Sequence, residues 1–259
     1  MSDPGASTRE ITLPGGEIIE IQQHGWRILY DKRDAVAFIT LNRPDAVNAF
    51  NVQMRDDLAE VLAAVRDDPG VRGLLIAGAG DKGFCAGADL TEFGTAPSQA
   101  IARRVRWERD LWSALADLPA PVIAAVHGHC IGSGVEIAAL CDLRIAARDA
   151  VFAMPEASLG LIPAAGGTQT IPHIIGESSA AALVLAGERL NAHDALRRGL
   201  VHWTVPRELL LSEAERRLRS VIEAPPQVLA LVKRAVREGR DLPLHDALQL
   251  ERRLAAQLA

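Results

Sequence analysis

Three times along the chain a short apolar run ends in a glycine-rich loop, and this recurrence limits the fold more than any other feature. Val71–Ala77 leads into a glycine-rich loop that runs through Leu90. Pro121–Val126 leads into His127–Gly134, and Leu143–Ala147 leads through Val151–Ala153 into Gly160–Thr168. Short apolar runs bounded by such turn signals read as buried strands. Helical patterns lie between them. Met54, Leu58, Val61, Leu62 and Val65 fall at three- and four-residue steps behind Asn51, a residue that can cap a helix. A second helix is predicted from about Ser98 to Leu118, and a short one from Ser133. Strand, loop and helix in alternation give an α/β class.

Upstream, Ile18–Ile21, Trp26–Tyr30 and Ala35–Leu41 read as strands, with a turn at Asp31-Lys32-Arg33-Asp34. Residues 1–16, punctuated by Pro4, Gly5, Pro14, Gly15 and Gly16, read as a flexible lead-in. After Arg207 the β signal ends. Glu208–Glu223, Gln227–Arg237 and Leu244–Leu258 are predicted helices, separated by Pro225-Pro226 and by Gly239 with Pro243. The expected organisation is a lead-in over 1–16, a core over 17–207 and a helical C-terminal subdomain over 208–259.

Composition removes several function classes. Lys and Arg total 28 against 33 Asp and Glu, a formal charge of −5, so a polyanion-binding surface is not expected. Aromatic residues are 4% of the chain, thin material for base stacking. No run approaches the roughly 18 apolar residues that a membrane helix needs, and MSDPGASTRE has no apolar stretch of the secretory kind. Cys85, Cys130 and Cys141 lack paired spacing and read as reduced core residues. A cytoplasmic protein binding neither nucleic acid nor membrane is the expectation.

The glycine loops carry the unusual residues. Gly78-Ala79-Gly80-Asp81-Lys82-Gly83 matches a dinucleotide fingerprint in form. No helix opens at Gly83 to meet a pyrophosphate, so a nicotinamide-dependent oxidoreductase is weakly supported. Gly132-Ser133-Gly134 suggests a nucleophile elbow, but Ile131 and Val135 stand where that turn needs glycines. His127-Gly128-His129-Cys130 has no second ligand pair at useful spacing, so no metal site is expected. Two glutamates remain, Glu136 and Glu156, each the sole acid in a stretch of small and apolar residues beside such a loop. Taken singly, each has a structural reading. Ser133 and Glu136 form a capping box, and Glu156 follows Pro155 in a helical first turn. Taken together, two carboxyls in apolar company suit general acid–base work, and the glycine loops supply main-chain N–H groups for an oxyanion hole.

The chain resembles the enoyl-CoA hydratase/isomerase (crotonase) superfamily from about Trp26 onward. The similarity rests on Leu41-Asn42-Arg43-Pro44 with Asn48-Ala49, Phe84-Cys85-Ala86-Gly87-Ala88-Asp89-Leu90 and Pro121 through Gly128. It continues in Gly132 to Glu136, Cys141-Asp142, Pro155-Glu156 and Gly160 through Gln169. The resemblance implies a spiral of ββα units with a helical C-terminal region, assembled as homotrimers or dimers of trimers. It implies an oxyanion hole from the N–H groups of Ala88 and Ser133, and a coenzyme A surface over Ala46, Ala86, Ala88, Asp89 and Leu90. Glu136 is expected to orient and deprotonate water and Glu156 to supply the C2 proton, with the Ala164 N–H helping to hold the water. The implied substrate is a 2-enoyl-CoA thioester, with no cofactor beyond the coenzyme A it carries. Alternatives are a double-bond isomerase, a hydratase or hydrolase of a cyclic or aromatic acyl-CoA, and an inactive scaffold.

Departures from the family pattern bear on substrate choice more than on reaction class. Ser133 and Ala164 stand at usual glycine positions, Thr170 where arginine commonly follows Gly-Thr-Gln, and Asp45 where a base is common. Family members usually continue beyond Leu258-Ala259, so the C-terminal region is expected to be short. Trp107 and Trp112 fall where the acyl tail is often bordered, with core packing the favoured role.

Overall fold

The computed structural model describes residues 26–92 and 110–258, together with the backbone of two strands over 6–12 and 18–24. The two earliest strands, β1 (Ala6–Thr12) and β2 (Ile18–His24), pair antiparallel as a separate two-stranded sheet. A paired strand therefore lies within the segment expected to be a lead-in.

The main body is built on two sheets. The larger contains β3 (Ile28–Arg33), β4 (Val36–Leu41), β5 (Gly73–Gly78), β7 (Val122–Val126), β9 (Leu143–Ala147) and β12 (Trp203–Val205), in the order β12-β9-β7-β5-β4-β3. All its pairings are parallel except the β3–β4 hairpin. Its turn is displaced from the expected place. Asp31–Arg33 extend β3, and the chain reverses at Asp34, which adopts φ 55°. Short polar Asp tolerates this left-handed geometry better than most residues.

The smaller sheet, in the order β11-β10-β8-β6, is made of three-residue strands: β6 (Gly83–Cys85), β8 (His129–Ile131), β10 (Val151–Ala153) and β11 (Arg189–Asn191). Two of these strands, β6 and β8, occupy stretches that read as glycine loops. Their apolar runs are too brief to show a period of two.

Helices cover both faces. The helix α1 (Val52–Asp67) starts at Asn51, whose side chain accepts from the Met54 N–H at 2.9 Å, as the sequence predicts. It buries Met54, Leu58, Leu62 and Val65. Of the helix expected over 98–118, α2 (Leu111–Ala116) is described, and Trp107 lies outside the described residues. Trp112, partly buried, packs against the core with its ring 5.7 Å from that of Phe50. The remaining helices are α3 (Ser133–Leu140), α4 (Gly167–Ile175), α5 (Glu177–Val184), α6 (Ala192–Arg197), α7 (Leu210–Val221), α8 (Pro226–Gly239) and α9 (Leu244–Ala255).

The helical C-terminal region divides in packing. Leu210, Ala214 and Leu218 of α7 share a core with Val36, Leu75 and Ile123 of the large sheet. In contrast, α8 and α9 pack on one another through Leu231, Leu250 and Leu254. In packing terms α7 belongs to the sheet body, so the change falls after it rather than at residue 208. A link returns from α8, where Lys233 Nζ meets Asp142 Oδ2 at 2.7 Å, and the same oxygen accepts from the Val122 N–H at 2.8 Å.

Candidate active site

The strands β6, β8 and β10 run parallel and adjacent, so the segments leaving their C-terminal ends emerge side by side. Ala86–Leu90 follows β6, Gly132–Glu136 follows β8, and Pro155-Glu156 follows β10 within a few residues. Concave sites in open α/β sheets form at such strand ends. The Gly132 N–H donates to the Ala153 carbonyl at 2.9 Å and locks the second segment to the third.

Glu136 lies in the first turn of α3 and is 2% exposed. The capping-box reading does not hold. The cap residue is Gly132 with no side-chain cap bond, and the Glu136 carboxylate turns instead to the third glycine loop. Its Oε1 accepts from the N–H groups of Ala165 at 2.9 Å and Gly167 at 3.0 Å. Burial pushes its pKa above the usual carboxylate range. The bonds from Gly167, Ala165 and the Ser133 hydroxyl oppose that shift by favouring the ionised form.

Glu156 opens a 3₁₀ turn, Glu156–Leu159, behind Pro155. Its buried Oε2 has no hydrogen-bond partner among the described residues. Burial raises its pKa, its own backbone N–H opposes the rise, and the negative charge of Glu136 adds to it. The two carboxyls therefore sense one another from different surroundings. Gly132 makes this arrangement possible: its φ of 51° and ψ of −117° suit only glycine, and a Cβ there would stand 2.5 Å from Glu156 Oε1.

Among the described residues, neither N–H group expected to form an oxyanion hole donates to a backbone carbonyl. Phe50 bridges Ala88 in a parallel pair that uses Ala88's neighbours, with the Phe50 N–H on the Gly87 carbonyl at 2.8 Å and the Asp89 N–H on the Phe50 carbonyl at 3.0 Å. Among the described residues no peptide bond is cis, so the Ala88 N–H points opposite to the Gly87 carbonyl, away from Phe50. Ser133 is the first residue of α3, where an N–H has no intrahelical partner. The close approach of Gly87 to Ile131 and Gly132 puts the two segments against one another.

Among the other expected residues, Ala46, Ala86 and Asp89 are half-buried, whereas Ala88, Leu90 and Ala164 are exposed. The Ala86 N–H donates to the Val47 carbonyl at 2.9 Å, which joins the 42–50 loop to this rim. The N–H groups that hold Glu136 belong to Ala165 and Gly167, the first of them next along the chain from Ala164. Sequence reasoning also missed the part played by Asn48. Fully buried at φ 56°, it donates through Nδ2 to the Ala79 and Gly83 carbonyls at 2.9 Å each and accepts from the Arg43 N–H at 2.8 Å. An asparagine in a loop just past a proline was the available signal, since Asn tolerates left-handed geometry. His127 points inward to the Gly80 carbonyl at 3.0 Å, while His129 is exposed and Cys130 buried. A separate groove of about 860 Å³ runs along β3 and β4 past Trp26, Leu29, Phe38 and Leu211, and neither glutamate lines it.

Comparisons with known proteins identify the family and the fold. The family model described as enoyl-CoA hydratase/isomerase matches residues 31–259. The crotonyl-CoA hydratase of Syntrophomonas wolfei is 35% identical over 86% of each chain. The 1,2-epoxyphenylacetyl-CoA isomerase of Escherichia coli is 39% identical over 90% of this chain and 91% of its own. The crystal structure of an enoyl-CoA hydratase from Bacillus anthracis superposes with a TM-score of 0.84 at 34% identity, covering 89% of this chain and 90% of that one. Among the described residues no helix is long and apolar enough to cross a membrane.

Proposed function

Because the chain belongs to the enoyl-CoA hydratase/isomerase family, we propose that it adds water reversibly across the C2–C3 double bond of a 2-enoyl-CoA thioester. The reading is carried by the unequal surroundings of the two carboxyls. Glu136 receives two backbone N–H bonds on one oxygen, which favour its ionised form, that of a base, against the upward push of burial. Glu156 has a buried oxygen with no donor and lies beside a negative charge, which favours the protonated acid. Burial raises both pKa values, and Glu136 has main-chain donors from two other residues to set against it where Glu156 has its own N–H, so the pair is suited to dividing base and acid duties.

In this reaction Glu136 orients a water and takes its proton as the oxygen bonds to C3. The C2–C3 electron pair shifts towards the thioester carbonyl, whose developing negative charge is met by the N–H groups of Ala88 and Ser133. Glu156 then delivers its proton to C2, and dehydration runs the same steps backwards. One oxyanion donor is worth about 3 kcal/mol of barrier, and each acid–base group about 10²–10⁴ in rate. Ala46, Ala86, Asp89 and Leu90 form the rim for coenzyme A, and the reaction calls on no separate cofactor. Assembly into trimers is supported by apolar side chains left open on the outer helices, including Val236 at 68% and Leu244 at 75% exposure. A cytoplasmic location accords with the acyl-CoA substrate.

A double-bond isomerase is the second reading, favoured by a family description that takes in isomerases as well as hydratases. It would move a proton through Glu156 alone. The ultraviolet absorbance of crotonyl-CoA separates the two. Hydration predicts loss of the conjugated signal with wild type and about 10²–10⁴-fold slower loss with Glu136→Gln and with Glu156→Gln. Unchanged crotonyl-CoA, with 3-enoyl-CoA turnover that survives Glu136→Gln, would replace hydration by isomerisation.

A further inference from the structure

Behind the Ala88 N–H lies a chain of aligned groups that ends in a positive charge. The Gly87 carbonyl belongs to the same peptide as the Ala88 N–H, and it accepts from the Phe50 N–H at 2.8 Å. The Phe50 N–H in turn shares its peptide with the Ala49 carbonyl, which accepts from Arg43 Nη1 at 2.5 Å. A trans peptide directs its N–H opposite to its carbonyl. Guanidinium, two peptides and the oxyanion position therefore stand in one head-to-tail series. The same guanidinium reaches past the bridge, where Nη2 meets Asp89 Oδ2 at 2.9 Å with both side chains mostly buried. Asp89 is itself tied through Oδ1 to the Thr91 hydroxyl at 2.7 Å. Arg43 thus grips both sides of the Phe50–Ala88 bridge, one bond before it on one strand and one residue after it on the other.

We propose that Arg43 is a positioning residue for the oxyanion hole, fixing the plane of the Gly87–Ala88 peptide and polarising its N–H through the intervening Ala49–Phe50 peptide. The proposal rests on the reading of Ala88 as an oxyanion donor. Hydrogen-bonded chains strengthen along their length, most of all when one end is charged and water is kept out. The isolated Phe50–Ala88 bridge has no ladder to stiffen it. Gly87, at φ 98°, leaves its own peptide free to tilt once the grip is removed. Lysine cannot substitute, because an ammonium is a point donor without the fork that spans the Ala49 carbonyl and the Asp89 carboxylate together.

The test compares wild type with Arg43→Met, Arg43→Lys and Asp89→Asn in three measurements: crotonyl-CoA kinetics, free coenzyme A affinity, and the carbonyl stretching frequency of bound 2,4-hexadienoyl-CoA. Wild type is expected to lower that frequency relative to the ligand in solution. Arg43→Met is expected to return it towards the solution value and to cut kcat about 10- to 100-fold, with KM and free coenzyme A affinity within about threefold. Arg43→Lys falls between the two, and Asp89→Asn, which keeps the Ala49 bond, loses less than Arg43→Met. If Arg43→Met does not fold, the Lys and Asn variants carry the same ranking. A folded Arg43→Met with unchanged frequency and kcat overturns the proposal. So does a loss of coenzyme A affinity with the frequency unchanged, which would make Arg43 a coenzyme ligand. An unshifted frequency in wild type removes the oxyanion reading itself, and this proposal with it.

Discussion

The two sheets of the molecule differ in what holds them. In the large sheet, β5 and β7 are apolar almost throughout, and Leu74, Leu75, Ile76, Val122, Ile123 and Ala124 are at most 2% exposed. Burying a side chain of that kind contributes about 1.5–3 kcal/mol. The small sheet has three-residue strands that each bury one or two apolar side chains, such as Phe84, Phe152 and Leu190, and close backbone approach adds to what holds it. A Cβ on Gly83 would stand 2.5 Å from the His129 backbone nitrogen and oxygen, so β6 and β8 come together at a point where only hydrogen fits. The first sheet is tolerant scaffold. The second spends its glycines on bringing Ala88, Ser133, Glu136 and Glu156 to one place, and substitutions in the two should fail in different ways.

The sharpest way to break that contrast is Gly132→Ala. Its Cβ would meet Glu156 Oε1, and its φ and ψ are closed to alanine, so activity should fall by about a thousandfold. The added backbone strain should cost about 1–3 kcal/mol of stability, read from denaturant midpoints. A variant with near-normal turnover would show that the site does not need this approach. The opposite pattern is expected of Leu75→Ala, which removes a side chain lodged between the large sheet and α7. About 2–5 kcal/mol of stability should be lost while kcat of the folded enzyme stays within about twofold. A large kcat loss there would mean that the scaffold and the site are not separable.

Lys233→Met tests how the C-terminal helices are fastened. It leaves Asp142 with the Val122 N–H but without its cation, and should cost about 1–3 kcal/mol in thermal unfolding, with catalysis spared. The smallest effect is a gain. The pKa of Glu156 is raised in the folded state by burial and by Glu136, so over the window between its ordinary and its raised value the folded protein holds more protons than the unfolded chain. Stability from this group is therefore lost as pH rises through that window, and the full penalty is present above it. Glu156→Gln should raise Tm at pH 8 relative to wild type, with the advantage vanishing below about pH 4.5. No gain at pH 8 would mean that the carboxyl is not strained where it sits.

The same contrast explains what the sequence made legible. Long signals survived: the α1 period with its Asn51 cap, the runs of β5, β7 and β9, and the three late helices all appear close to their expected bounds. Strands of three residues did not, because Gly83–Cys85 and His129–Ile131 are too short to show alternation and carry glycines that read as loop. The packing of α7 on the sheet was also hidden, since amphipathic helices look alike whichever surface they cover. Of the site, the two glutamates stood out as lone acids among small residues. The N–H groups of Ala165 and Gly167 did not, because main-chain donors leave no mark in side-chain identity. Arg43 and Asn48 were visible only as parts of a resemblance, and their bonds emerge once Val47–Phe50 is seen lying against Ala86–Asp89.

The division of labour between the two carboxyls is tested most directly by exchange of the C2 hydrogens of butyryl-CoA, a saturated thioester, in deuterated water. In the proposed mechanism, removing and returning a C2 proton calls on Glu156 and the oxyanion donors but on no added water. Glu136→Gln is therefore predicted to retain most of the wild-type exchange rate while losing about 10²–10⁴ in crotonyl-CoA hydration, and Glu156→Gln to lose both. Exchange abolished by Glu136→Gln, or preserved in Glu156→Gln, would contradict the assignment of the C2 proton to Glu156.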